Sequence, residues 1–165
     1  MASTTTRSHL PALEEPGARE QVGLELDATL RELIALALIG KQLHWTIVGR
    51  LFRPLHLYLD ELVASWHELA DAVAERAVAL GHMPDGQAAA VAAAQLAPVD
   101  AAATRDRDVV RELTQRVAQV SEQTRARMER LGELDAVSQD VLIEVLRSLE
   151  EQQWMLSAQL DKGPA

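Results

Sequence analysis

The chain has 165 residues and a formal net charge of −9, with 48% hydrophobic and only 3% aromatic side chains. Abundant Ala and Leu with so few aromatics favour helices over a β-sandwich, and the acidic balance argues against a generic polyanion binder while leaving metal cations open as partners. There is no Cys, which excludes disulfides, thiolate metal sites and cysteine nucleophiles.

Residues 1–19 read as a flexible tail, opened by Ser3, Thr4, Thr5 and Thr6 and interrupted by Pro11, Pro16 and Gly17. No apolar h-region precedes residue 20, so no secretory signal is expected. No apolar run approaches the roughly 20 residues of a membrane span, and the expected location is the cytoplasm. From residue 20 a helical pattern begins. Leu26, Leu30, Leu33, Ala37, Gly40 and His44 fall on one face, and Gly49 marks the end.

A second helix is predicted over residues 52–80, with Pro54 in its first turn and Leu55, Leu59, Leu62, Trp66, Leu69, Val73 and Leu80 as its stripe. Gly81 and Pro84 stop it. Residues 82–103 read as a long crossover carrying one short Ala-rich helix over 88–94. A third long helix is expected from Thr104, taken as its N-cap, to Gly132, with Val110, Leu113, Val117, Val120, Thr124, Met128 and Leu131 facing inward. The fourth runs over 136–160 on Leu142, Val145, Leu149, Leu156 and Leu160. Four long helices with a long connection between the second and third give an all-α, ferritin-like four-helix bundle over residues 20–161, followed by a short C-terminal tail over 162–165.

Of the five histidines, His9 and His82 fall in irregular segments and read as solvated surface. His44 ends an otherwise apolar face. His56 and Asp60 stand at i, i+4, as do Asp71 and Glu75. The second pair places two like charges together, a repulsion of roughly 0.2–0.5 kcal/mol that a bound cation would remove. With His56 at 0°, Asp60 falls near 40°, Asp71 near 60° and Glu75 near 100°, while the leucine stripe centres near −100°. His56 and Asp71 are about 22 Å apart along a straight helix. One chain therefore cannot bring both to one metal, whereas two copies of the helix packed antiparallel across a two-fold axis could. Nitrogen and oxygen donors without sulfur suit iron, zinc or manganese. The Glu-x-x-His motif of intrachain di-iron bundles is absent.

Lys41-Gln42-Leu43-His44-Trp45, then Gly49, Phe52, Leu55-His56, Asp60-Glu61-Leu62, Asp71-Ala72-Val73-Ala74-Glu75-Arg76, Leu80-Gly81 and Pro84 resemble the signature of the Dps miniferritins, the DNA-binding protein from starved cells family. Trp154 matches as well, and the resemblance covers residues from about 20 to 160. It implies a homo-dodecameric hollow shell with ferroxidase sites at its two-fold interfaces. It implies that His44, His56 and Asp60 of one subunit, with Asp71 and Glu75 of its mate, bind and oxidise iron from Fe(II) to Fe(III), at a di-iron or mononuclear site. Hydrogen peroxide is the expected preferred oxidant over oxygen, and ferric mineral accumulates in the cavity. Trp45 and Trp66 are candidate site-adjacent electron donors, with helix packing as the plainer role. By the same resemblance Asp140, with Glu144, lines a pore that admits iron at a three-fold axis; an acidic residue favouring a helix N-terminus is the plainer role for Asp140.

Thr46 stands where the family often has Asn. The family's DNA binders often use basic termini, but Arg7 and Arg19 here are offset by Glu14, Glu15 and Glu20. The resemblance leaves open nucleoid association and an alternative role in DNA compaction with secondary iron chemistry. A mononuclear iron oxygenase is a further alternative, since two His and one carboxylate fit a facial triad, but no motif for an organic substrate or cosubstrate accompanies them.

Overall fold

A computed structural model of the chain describes residue 13, residues 17–94 and residues 96–160. The expected C-terminal tail, His9, Arg7 and nearly all of the expected N-terminal tail lie outside these residues. Five helices follow in order: α1 (Ala18–Thr46), α2 (Phe52–Ala79), α3 (Ala88–Ala93), α4 (Asp106–Gly132) and α5 (Ala136–Ala158). The four long ones form the ferritin-like bundle, and short α3 sits in the crossover between α2 and α4. Among the described residues there is no strand, only an isolated bridge between Val48 and Arg105. No described helix is long and apolar enough to cross a membrane.

The predicted stripes make the core. Leu26, Leu30, Leu33, Leu55, Leu59, Leu62, Val73, Val110, Leu113, Val117, Leu142, Val145, Leu149 and Leu156 are all buried in one cluster. Met128, Leu69 and Leu160 pack against it at its edge. At Gly81 (φ 80°) the chain reverses out of α2: His82 N–H donates to Ala77 C=O at 3.0 Å and Gly81 N–H to Val78 C=O at 2.8 Å. These paired bonds close the last turn of α2 in a form that glycine adopts without strain.

α1 begins at Ala18, two residues before the expected start, with Gly17 as its N-cap. Thr104 is not the N-cap of α4. That position belongs to Arg105, whose side chain makes no cap, while the Thr104 carbonyl accepts from Val48 N–H at 2.8 Å. The bridge to the α1–α2 turn claims this backbone, so the helix starts one turn-residue later. Asp135 caps α5, accepting from Ser138 N–H at 3.1 Å. His82 is half-buried, its ring lying over Gly23 where a Cβ would come within 2.4 Å.

The crossover is fastened at both ends. Asp27 is buried, pairs with Arg31 and accepts from Asp85 N–H at 2.8 Å, while Arg31 Nε donates to Asp85 C=O at 3.1 Å. Farther on, Arg116 donates to the carbonyls of Ala97 and Pro98 at 2.8 and 3.0 Å. Between α1 and α4, Arg127 and Glu32 form a buried two-pronged pair at 2.6 and 2.5 Å. Charged groups this deep persist only when paired.

Candidate metal centre

The C-terminal turn of α1 meets the N-terminal turn of α2 because a tight turn through Gly49 joins them. Asp106 Oδ2 accepts from Leu51 N–H in this turn at 3.3 Å, and a side chain on Gly49 would collide with that carboxylate. The packing stacks two imidazoles, buried His44 and half-buried His56, with ring centroids 3.6 Å apart and planes 23° apart. Each ring is held by the other's backbone. His44 Nδ1 lies 2.9 Å from His56 C=O, and His56 Nδ1 lies 3.0 Å from His44 C=O. A carbonyl only accepts, so each Nδ1 carries a proton, and in the neutral ring the lone pair is then on Nε2. This is the tautomer a metal requires, already selected by the backbone. The Phe52 ring lies against that of His56, with centroids 5.0 Å apart and planes tilted by 34°.

Asp60, one turn beyond His56, joins the pair: its Oδ1 is 3.3 Å from His44 Nδ1 and 2.7 Å from Lys41 Nζ. The Lys41 hydrogen bond, helped by the nearby imidazoles, holds the Asp60 carboxyl below the usual carboxylate range. The ammonium thus sits against an oxygen that a metal ion would claim.

Asp71 and Glu75 are exposed farther along the same helix and make no hydrogen bond or ion pair. Arg76, their neighbour, does not neutralise them. It is committed to Asp135 at 2.6 Å and Ser138 at 2.9 Å. Burial pushes the Asp135 carboxyl up, but the Ser138 and Arg76 hydrogen bonds outweigh it and hold that carboxyl low. Among the described residues, no group of three or more His, Asp or Glu stands close enough within one chain to hold a metal ion. The chain therefore carries two separated donor sets: imidazoles with Asp60 at one end of α2, free carboxylates toward the other.

A ferritin-like domain matches residues 24–165. The DNA protection during starvation protein of Mycolicibacterium smegmatis is 34% identical over 162 residues, covering 93% of this chain and 84% of that protein. A solved structure, the tetragonal form of Mycobacterium smegmatis Dps, superposes with a TM-score of 0.89 at 30% identity over 96% of this chain and 97% of that one. The chain belongs to the Dps family. Also similar is Dps from Microbacterium arborescens, solved in a high iron form, at 31% identity and TM-score 0.85 over 92% of this chain and 98% of that one.

Around His44 and His56 the tryptophans separate into two kinds. Trp45 follows His44 and is 69% exposed. Trp66 is wholly buried, and its Nε1 donates to Gln152 Oε1 at 2.8 Å, so its place is in the bundle core. Asp140 and Glu144 are exposed on α5. Glu144 lines a groove of about 430 Å³ between α2 and α5 with Glu68, Arg147 and Glu151. The pairing of Lys41 with Asp60 is not announced by the motif in which Lys41 stands. Its i−3 spacing from His44 was the available signal, since both residues share a face of α1.

Proposed function

We propose that this Dps protein is a ferroxidase and iron store, and that its reaction centre is assembled from two chains. The observation that carries the reading is the division of donors along α2. Two imidazoles with free Nε2 atoms and Asp60 lie at one end, and two unpaired carboxylates lie about 22 Å away. An antiparallel mate supplies to each end what it lacks, producing two equivalent centres per pair of chains. His44, His56 and Asp60 of one subunit, with Asp71 and Glu75 of the other, bind Fe(II) as substrate. Two Fe(II) ions give one electron each to hydrogen peroxide, which takes up two protons and leaves as two waters; dioxygen is the slower alternative oxidant. Imidazole and carboxylate donors stabilise the Fe(III) product while leaving positions for the oxidant.

The pairs close into a shell of twelve that keeps the ferric mineral, reached through a pore lined by Asp140 with Glu144. Trp45, exposed and next to His44 in sequence, serves as electron donor when oxidant exceeds iron. The relative from Mycolicibacterium smegmatis is named for DNA protection, and removal of Fe(II) together with peroxide accounts for such protection without contact with DNA. The acidic net charge and the balanced termini disfavour strong DNA binding. The cytoplasm, beside the nucleoid, is the proposed location.

Anaerobic Fe(II) mixed with peroxide tests the reading. The wild type should consume one peroxide for every two Fe(II) and hold the product in solution. His44→Ala with His56→Ala should lose this stoichiometry and precipitate iron; an unchanged stoichiometry in that variant would reject it.

A further inference from the structure

The face of α2 that carries the iron donors begins and ends on apolar side chains. On the same wheel Phe52 falls near −40° and Leu57 near 100° at the N-terminal end, and Val78 falls near 40° at the C-terminal end. These three are the large exposed apolar residues of α2, with Phe52 at 44% and Val78 at 53% exposure. Between Leu57 and Val78 the same face carries Asp60, Ala64, His67, Asp71, Ala74 and Glu75. That middle stretch supplies charge and metal donors but no apolar core, which a lasting contact between two proteins requires.

We propose that Val78 of each chain packs on Phe52 of its mate, so that one apolar contact at either end of the paired α2 helices holds their register and removes water from beside each shared iron centre. This rests on the two-chain reading above. Setting the middle of the His56–Asp60 pair against the middle of the partner's Asp71–Glu75 pair puts the two-fold axis between Ser65 and Trp66. Arg53 then comes level with Val78 of the partner subunit, and Phe52 stands one residue, about 1.5 Å along the helix, from that level. Packed helix axes are about 8–10 Å apart, a gap that a phenyl ring and an isopropyl group fill. The Phe52 ring already lies against that of His56, so an apolar side chain seated on it displaces water from the neighbourhood of the imidazole. Charges and dipoles act more strongly in such a drier place. A parallel pair offers no such match. It would set Val78 on its own copy and, with it, Asp71 and Glu75 on theirs, where like charges repel.

The chain has no cysteine, so introduced thiols report this contact alone. Protein carrying both Arg53→Cys and Val78→Cys, which leaves Phe52 in place, is treated with a short bis-maleimide and run on a denaturing gel. It should give a covalent dimer and nothing larger. Either substitution alone should give only monomer, because these positions lie about 38 Å apart within one chain and between like positions of two. In a separate protein, Val78→Asp sets a carboxylate against the partner's ring. Fe(II) oxidation should slow by about tenfold with helix content unchanged. No dimer from the double variant, a ladder of larger products, or a dimer from either single variant would overturn the proposal. So would oxidation at the wild-type rate in Val78→Asp. The shared centre survives any of these if mixing a histidine variant with a carboxylate variant restores oxidation. A wild type that stays monomeric in light scattering yet oxidises Fe(II) would remove the two-chain reading and this contact together.

Discussion

Gly40 lies one turn before His44, at a tight contact between α1 and α2. A Cβ on Gly40 would stand 2.7 Å from Val63 Cγ2 and 2.8 Å from Trp66 Cζ3. Carbon atoms out of bonding contact settle at about 3.5–4.0 Å, so relief demands a shift of about 1 Å. Trp66 cannot give way: it is wholly buried and its indole nitrogen is bonded to Gln152. The helices must part instead. Overpacking costs about 1–3 kcal/mol; against a neighbour as fixed as Trp66 this case falls in the upper part of that range, about 2–3 kcal/mol, of which the better helix propensity of alanine offsets about 1 kcal/mol. Gly40→Ala should therefore lose about 1–2 kcal/mol, and Gly40→Val more. Parting the helices also stretches the reciprocal 2.9 and 3.0 Å bonds that orient His44 and His56. Thermal unfolding followed by tryptophan fluorescence should show a midpoint lower by about 2–8 °C, at about 2–4 °C per kcal/mol for a chain of this size. Fe(II) oxidation should slow in the same protein. A variant as stable as the wild type, with unaltered oxidation, would refute the close approach and its link to the site.

Glu32→Ala removes both short bonds of the buried Arg127 guanidinium, leaving it only the Glu25 carboxylate at 3.9 Å, and should destabilise the chain by about 3 kcal/mol, whereas Glu32→Leu combined with Arg127→Leu should recover most of that; denaturant titration of the three proteins decides it. Lys41→Met removes the bond that keeps the Asp60 carboxyl low, so that carboxyl rises toward its ordinary range. Protonation of Asp60 then begins at higher pH, and the acid limb of Fe(II) binding should move up with it. At neutral pH Fe(II) should bind more tightly, because a competing cation has gone. Anaerobic Fe(II) affinity measured across pH checks both effects, and an unmoved acid limb would reject the role given to Lys41. Asp140→Asn should slow iron uptake at low Fe(II) without changing the assembled mass, and uptake at the wild-type rate would reduce Asp140 to a helix-terminus residue.

The long helices were legible because their apolar residues recur with helical spacing and their ends carry glycine. Leu26 through His44 and Leu142 through Leu156 needed nothing beyond that period. The start of α4 was not legible. Thr104 has the chemistry of a cap, but a backbone bridge to Val48 decides the boundary, and no local pattern announces a partner so far off in sequence. The same holds for Glu32 and Arg127, which read as surface charges until folding brings them together from 95 residues apart. Of the site, the donor types and their helix faces could be read directly. The stacked rings, the proton on each Nδ1 and the Lys41 ammonium at Asp60 could not, because each depends on how α1 packs against α2. Trp66 shows the converse: its place beside the motif suggested chemistry, and its burial against Gln152 gives it a packing role.

The central claim, that each reaction centre draws on two chains, is tested by mixing two inactive proteins. One carries His44→Ala and His56→Ala, and the other carries Asp71→Ala and Glu75→Ala. Each alone should assemble and oxidise Fe(II) at close to the uncatalysed rate. When they are dissociated and reassembled together, every mixed pair gains one centre with all its donors and one with none. Oxidation per verified mixed pair should return to about half of the wild-type value. Mixed pairs confirmed by mass, correctly folded and still inactive, would contradict the shared centre.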